Sequence, residues 1–167
     1  MSDVSGLDAL IEESLTQAEV PYEHPREGAF LVTLAGTHKL ATHAWLVVTP
    51  QSLLVEAFVI RQPDENHAAF YRTLLERNTR TYGVHFSVDR VGDVYLVGRV
   101  PLAAVTADEM DRLLGCLLTY ADESFDQLLE IGFAGSIRRE WEWRQRRGEP
   151  LTNLQAFARF ADPDREA

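Results

Sequence analysis

The stretch of sequence that decides the fold is PDENHAAFYRTLLERNTRTYGVHFSVDRVGDVYLVGRVPLAAVT, residues 63–106. On each side of the loop DRVGD, residues 89–93, apolar and polar residues alternate as they do in a half-buried strand. Gly92 stands where a hairpin loop of about three to five residues needs a positive φ angle. This stretch therefore predicts a β-hairpin, with Phe86 on its first strand and Leu96 on its second.

A helix is predicted just before the hairpin. Its start is indicated by the segment PDENH, in which Asp64 or Asn66 can accept hydrogen bonds from the unpaired amides of the first helical turn. Phe70 and Leu74 then lie on one apolar stripe at helical spacing. We expect this helix to end near Arg80.

A long helix is predicted after the hairpin. Thr106 and Glu109 have the spacing of a capping box. Further on, Gly132 and Gly135 interrupt the pattern, and each destabilises a helix interior by about 1 kcal/mol relative to alanine. We therefore expect a kink or close packing there, with the helix restarting at Ser136. Before the glycines, one wide apolar stripe contains Met110, Leu113, Leu114, Leu117, Ala121, Phe125, Leu128 and Leu129.

The residues upstream of this stretch predict one helix and three strands. Apolar residues recur at helical spacing over residues 6–19, and PYEHPREG at 21–28 has the prolines and glycine of a linker. Segments rich in β-branched and aromatic residues follow at 29–36, 42–50 and 52–60. Their connections are too short for a parallel crossover, so the three strands form an antiparallel meander.

These elements together predict an α+β fold. Their order is a helix, a three-strand antiparallel meander, a helix, a β-hairpin and a long broken C-terminal helix that covers a five-strand sheet. The second strand is apolar on both faces, which indicates partial cover on the second face as well. We expect a single domain at residues 1–161 and a loose tail at 162–167. The expected core includes Leu74, Phe86, Leu96, Leu117 and Trp141.

Composition and charge exclude several classes of function. The 167-residue chain carries a net charge of −10, which disfavours binding to nucleic acid or to anionic membranes. Its longest apolar runs are far shorter than the ~18 residues of a membrane span, so we expect a cytoplasmic protein. The charge is uneven: seven acids against one arginine give −6 over residues 1–28, whereas five arginines against two glutamates give +3 over 138–147.

The sequence shows no catalytic or metal-binding constellation. A single cysteine excludes an internal disulfide framework and a CxxC zinc pair. The five histidines lack the i, i+4 or HxH spacing of a metal site, and no nucleophile or phosphate-loop motif is present. We therefore expect no enzyme, no cofactor and no metal. A cleft in which two of His38, His43 and His85 converge would favour an enzyme instead.

The candidate functional surface is SIRREWEWRQRR, residues 136–147. Trp141 falls on the apolar face of the helix, and Trp143 lies about 200° around it, so the two cannot both be buried on that face. Trp143 is then either exposed or covered by residues 151–160. Arg139 and Arg147, four residues to either side, can stack on its ring. The candidate partner-binding residues are Arg138, Arg139, Trp143, Arg144 and Arg147.

The segments PDENH, YGVHFSVDRVGDVYLVGR, PLAAVT and SIRREWEWR resemble the YbjN family of small bacterial proteins, sometimes labelled sensory transduction regulators. The resemblance extends back through the strands at 29–60 and implies a fold similar to type III secretion chaperones. It also implies a small acidic cytosolic homodimer that binds other proteins. We therefore expect a non-catalytic interaction module, chaperone-like or regulatory. The alternative is a small-molecule or anion sensor that uses Arg138, Arg139 and Arg144.

Overall fold

Six strands and four α-helices form the part of the chain, residues 4–161, that this computed structural model describes. The predicted tail at residues 162–167 lies outside the described residues. In chain order the elements are α1 (Val4–Gln17), β1 (Tyr22–Arg26), β2 (Ala29–Ala35), β3 (Ala41–Val48), β4 (Ser52–Ile60), α2 (His67–Asn78), β5 (His85–Val88), β6 (Val94–Pro101), α3 (Ala107–Arg147) and α4 (Ala158–Ala161), with 3-10 turns at Leu102–Ala104 and Thr152–Phe157.

The strands form one antiparallel sheet in the order β1-β2-β3-β4-β6-β5. Strands β2, β3 and β4 are the predicted meander, and β5 with β6 is the predicted hairpin. The hairpin joins the meander because β6 pairs with β4. The predicted α+β fold class is therefore confirmed.

The sixth strand, β1, lies in the segment predicted to be a linker, so the prediction of a five-strand sheet is wrong by one strand. Four of its five residues are exposed, and it therefore shows no apolar alternation. Pro25 is tolerated because β1 is an edge strand. The pairing with β2 is irregular between Glu23 and Arg26. Pairing with β2, and not the composition of β1, produces this strand.

The core lies between the inner face of the sheet and the helices α1, α2 and α3. Trp141 is only half-buried, so its predicted place in the core is wrong. Phe133 is the last buried residue of α3, and Trp141 lies eight residues, or about 12 Å, further along the helix axis. The other four predicted core residues, Leu74, Phe86, Leu96 and Leu117, are buried.

Helix α3 runs without a break for 41 residues. The predicted break at Gly132 and Gly135 is therefore wrong, whereas the close packing expected there is confirmed. A Cβ atom on Gly132 would lie 2.8 Å from Pro63 Cβ and 2.9 Å from Phe70 Cδ2. The glycine lets another segment of the chain approach α3, and it does not end the helix.

The segment that approaches α3 is the loop before α2. The backbone amides of Asp64 and Glu65 donate to Gly132 O at 3.0 and 3.2 Å, and the Glu65 carboxylate accepts from Gly135 N at 2.6 Å. Asn66 stands at the N-cap of α2 without a side-chain capping bond, and its amide donates to an α3 carbonyl at 3.0 Å. The polar residues of PDENH therefore attach this loop to α3, and their predicted capping role is wrong.

Two local predictions around the hairpin are confirmed. Gly92 has a φ of 95° in the loop between β5 and β6. Thr106 Oγ1 accepts a hydrogen bond from Glu109 N at 3.2 Å and caps α3, which is one of the two bonds of the predicted capping box, whereas the Glu109 carboxylate accepts from Tyr82 and Arg112. Both features depend on neighbouring residues alone, which is why the sequence predicts them.

The side chain of Asn78 closes the β5 edge of the sheet at Phe86. It accepts from Phe86 N at 2.8 Å and donates to Phe86 O at 3.0 Å. These are the two backbone groups that a further antiparallel strand would use at this position. The side-chain amide thus occupies the edge that another chain could otherwise extend.

The outer face of the sheet, directed away from the buried core, is open. Trp45 on β3 and Phe58 on β4 are each 41% exposed. The expected partial cover of this second face is therefore not found over these two side chains. On the same strands, the residues that face inward, such as Leu46 and Ala57, are completely buried.

Candidate functional site

The end of α3 carries the residues that the sequence singles out for partner binding. Trp143 is 41% exposed, and the guanidinium carbon of Arg147 lies 4.7 Å from the centroid of its ring. The segment after α3 packs elsewhere: Phe160 is buried, and its carbonyl accepts from Arg138 Nε at 2.9 Å. Of the two alternatives for Trp143, exposure and cover by residues 151–160, the structure has the exposed one.

Arg139 is held in place by a chain of hydrogen bonds that leads back to the loop before α2. Its guanidinium donates to Ser136 Oγ at 3.0 Å, and Ser136 Oγ donates to Asp64 Oδ2 at 2.6 Å. Arg61 binds the same carboxylate with two hydrogen bonds of 2.7 and 2.8 Å. The guanidinium of Arg61 also lies over the Phe133 ring at 4.4 Å.

This arrangement changes the acidity of Asp64. The two hydrogen bonds from Arg61, followed by the bond from Ser136, lower the pKa of Asp64 from 3.8 to about 2. The same carboxylate raises the pKa of Arg61 through its hydrogen bonds. Asp64 is therefore ionised at neutral pH and joins the loop before α2 to the final turns of α3.

Arg138 and Arg144 have partners of their own. Arg138 binds the carbonyl of Phe160, as described above, and Arg144 Nε donates to Glu140 Oε1 at 2.7 Å. Arg144 also contacts Pro150 O at 3.4 Å. The five candidate residues therefore do not form one cluster. We call the group formed by Ser136, Arg139, Glu140, Trp143 and Arg147 the Trp143 surface; the first four line one shallow depression.

The outer sheet face is an apolar surface that the sequence analysis does not single out. Phe58 packs edge-on against Tyr95, with ring centroids 5.5 Å apart. Beside Trp45 lies a depression of about 440 Å³, lined by Pro25, Arg26, Ala29, Trp45, Val47, Leu54 and Glu56. Apolar residues on both faces of the predicted strands are the signal that indicates this surface in the sequence.

The histidines do not come together in a cleft. His38 contacts Asp126 at 2.7 Å, His43 contacts Thr33 Oγ1 at 3.1 Å, and His85 contacts Thr81 Oγ1 at 2.7 Å. Within residues 4–161, no group of three or more His, Cys, Asp or Glu side chains could hold a metal ion. In the same part of the chain, no helix has the length and apolarity to cross a membrane.

This helix-covered antiparallel sheet resembles the fold of type III secretion chaperones, as three solved structures show. The ExsC–ExsE complex matches with a TM-score of 0.57 and 22% identity, over 77% of this chain and 97% of that chain. The HopA1–SchA chaperone–effector complex has a TM-score of 0.54 and 14% identity, over 76% and 99%. The Yersinia pestis type III secretion chaperone SycH, in complex with a YscM2 fragment, has a TM-score of 0.52 and 15% identity, over 69% of this chain and 96% of that chain.

The chain belongs to the YbjN family, whose model, described as "Putative bacterial sensory transduction regulator", matches residues 8–130. The uncharacterized protein Rv0487 of Mycobacterium tuberculosis is 49% identical over 94% of this chain and 88% of its own length. The uncharacterized protein ML2442 of Mycobacterium leprae is 52% identical over 80% of this chain and 73% of its own length. The family match ends at residue 130, before the Trp143 surface.

Proposed function

We propose that this protein is a non-catalytic interaction module, chaperone-like or regulatory, that acts in the cytoplasm as a homodimer and binds a protein partner through the Trp143 surface. The observation that carries the proposal is the exposed Trp143 ring beneath Arg147. Two of the solved structures with this fold pair a chaperone with an effector or with a fragment of another protein. That similarity supports a binding role in general and identifies no partner.

The Trp143 surface has the chemistry of an interface hot spot. Tryptophan and arginine are the residues most enriched at such spots, because one buries a large apolar area and the other makes directed polar contacts. Arg147 already lies against the Trp143 ring, and Ser136 already orients Arg139. Both arginines are therefore partly ordered before binding, which lowers the entropic cost of ordering them in a complex.

The charge of this region indicates an acidic partner. Residues 138–147 carry +3 within a chain of net charge −10, so the end of α3 is a local basic patch. A partner segment with an apolar side chain for Trp143 and carboxylates for Arg139 and Arg147 would match it. Charge complementarity of this kind chiefly raises the association rate and the selectivity for a partner.

Cross-linking followed by pull-down from the native cytosol tests the proposal. The wild type should capture a reproducible protein partner, and Trp143→Ala combined with Arg139→Ala should lose it while the unfolding midpoint is unchanged. A matched control is Leu75→Ala combined with Arg72→Ala, which removes an exposed apolar residue and an arginine from α2. The proposal fails if the wild type captures nothing, or if the Trp143 variant and the control capture equally well.

The sensor alternative has less support from the structure. Arg138, Arg139 and Arg144, the three residues expected to receive an anion, have three separate intramolecular partners. A thermal-shift screen of cytosolic metabolites distinguishes the two functions. A true ligand at 100 times its Kd stabilises the protein by about 2.7 kcal/mol, whereas the interaction module should show no such shift.

A further inference from the structure

The outer sheet face is unusually apolar for a face that is open to solvent. An antiparallel sheet with one wet face normally alternates apolar residues inside with polar residues outside. On the inner strands of this sheet, the outer positions instead include Leu31, Trp45, Val47, Leu54, Phe58, Tyr95 and Val97. These residues adjoin one another across β2, β3, β4 and β6, so they form one continuous patch.

The charges on this face are few and balanced. On the outer positions of β2 to β6, Glu56 is the only acidic residue, and Arg99 is the only basic residue apart from the histidines. Within residues 4–161 neither side chain has a hydrogen bond or ion pair. The rest of the chain must then account for the whole net charge of −10. Two copies of so acidic a protein repel each other least where such a neutral, apolar face meets its equivalent.

Glu56 and Arg99 also have the placement that a two-fold contact requires. Glu56 on β4 lies opposite Val97 on β6, and Arg99 lies opposite Leu54. The two charged residues are therefore diagonal neighbours at the centre of the apolar patch, about 7 Å apart. Consider two copies that stack outer face to outer face around a two-fold axis lying between the sheets. If this axis is perpendicular to the line from Glu56 to Arg99 and passes over its midpoint, each Glu56 lies opposite Arg99 of the other copy.

We infer that the outer sheet face binds the same face of a second copy of this chain, with Glu56 of each copy paired with Arg99 of the other. Trp45 and Phe58 then become buried between two sheets packed about 10 Å apart. The four strands of the patch, β2, β3, β4 and β6, cover three strand spacings, and with seven to nine residues each they give a flat area of roughly 400 Å². This is about half of the roughly 800 Å² that each partner of a standard interface buries, so we expect a weak dimer.

This inference deepens the homodimer part of the proposed function and does not involve the Trp143 surface. Sedimentation equilibrium of the whole chain, without any partner, therefore tests it separately from the pull-down. The wild type should be a dimer at a protein concentration of about 100 µM and should dissociate on dilution. Glu56→Arg and Arg99→Glu, each alone, bring like charges together twice in every dimer and should weaken self-association by about tenfold or more.

An equimolar mixture of the two variants is the decisive sample. In a mixed pair, the Glu56→Arg copy has arginine at positions 56 and 99, and the Arg99→Glu copy has glutamate at both positions. Each position 56 therefore meets the opposite charge at position 99 of the other copy, and both ion pairs are restored. Association should return only in the mixture. Asp111→Arg, the same charge change at an exposed position of α3, is the control and should leave the wild-type dimer intact.

Three results would overturn the inference: a monomeric wild type, single variants that associate as the wild type does, or a mixture that stays monomeric. Far-ultraviolet circular dichroism and melting confirm that each variant is folded. If a charge variant does not fold, Trp45→Thr replaces it, since threonine suits a strand and Trp45 is 41% exposed. That variant should also weaken self-association about tenfold, and an unchanged dimer would equally overturn the inference.

Discussion

The two ends of helix α3 share one continuous backbone but have different surroundings. From Ala107 to Phe133 the helix packs against the sheet and the helices beside it, and its apolar stripe is buried. From Ser136 to Arg147 the helix contains no buried residue and carries exposed arginines and Trp143. The same secondary structure therefore stabilises the domain at one end and presents a surface at the other.

The loop before α2 marks the boundary between these two regions. Pro63 and Phe70 approach Gly132, and Glu65 binds the backbone of Gly135. Asp64 then binds Ser136, the first residue of the exposed end. Substitutions of buried residues before this boundary should accordingly be strongly destabilising, whereas substitutions of exposed residues beyond it should be nearly neutral.

The largest effect is expected in the buried region. Leu117 is completely buried, so Leu117→Ala should lower the free energy of unfolding by about 2 to 5 kcal/mol through lost burial and a residual cavity. Chemical denaturation at one fixed protein concentration measures this. Gln145→Ala in the exposed end is the matched control and should stay within about 0.5 kcal/mol of the wild type. Equal effects at both positions would contradict the division of the helix.

The next effect tests the boundary itself with two glycines of the same helix. Gly132→Ala places a Cβ atom 2.8 Å from Pro63 Cβ, so it should destabilise the protein by about 1 to 2 kcal/mol despite the better helix propensity of alanine. Gly115→Ala has no neighbour within 4 Å and should stabilise the protein by about 0.5 to 1 kcal/mol. Urea unfolding of both variants checks the opposite signs, and a stabilising Gly132→Ala would show that the loop does not pack closely there.

The sequence predicts those parts of the fold that depend on neighbouring residues. The turn at Gly92, the cap at Thr106 and the existence of the three meander strands follow from local composition and turn chemistry. The strand β1 does not, because its charged and proline-containing sequence becomes a strand only by pairing with β2. Helical periodicity likewise gives the direction of Trp141 but not the distance to which the core extends along α3.

The candidate site shows the same limit. Periodicity correctly separates Trp143 from the apolar face, and it places Arg147 within reach of the Trp143 ring. It cannot show that Arg138 binds a carbonyl 22 residues away, or that Gly132 is small because Phe70 packs against it. Both facts depend on parts of the chain that meet only in the folded protein.

A smaller effect is expected from the titration of Asp64 at the boundary. Its pKa is about 2 in the folded protein and 3.8 as the unperturbed value, so its contribution to stability is complete above about pH 4 and is lost as the pH falls towards 2. Asp64→Asn should therefore be less stable than the wild type near neutral pH, with the difference shrinking over this window. Unfolding midpoints measured across that range check this, and a difference that does not change with pH would exclude the ionised pair with Arg61.

The smallest effect is expected at Trp143 in the exposed end, and Trp141 on the same helix provides the comparison. Trp141 is half-buried, so Trp141→Ala should cost about 1 to 2 kcal/mol, less than the roughly 3 to 5 kcal/mol of a fully buried tryptophan. Trp143→Ala with Arg139→Ala removes exposed groups and should cost about 0.5 kcal/mol or less. Thermal and chemical unfolding of both variants at one concentration measure the difference. If the double variant is destabilised as much as Trp141→Ala, Trp143 supports the fold and its exposure does not identify a binding surface. If it keeps its stability and loses its partner, the end of α3 serves recognition alone.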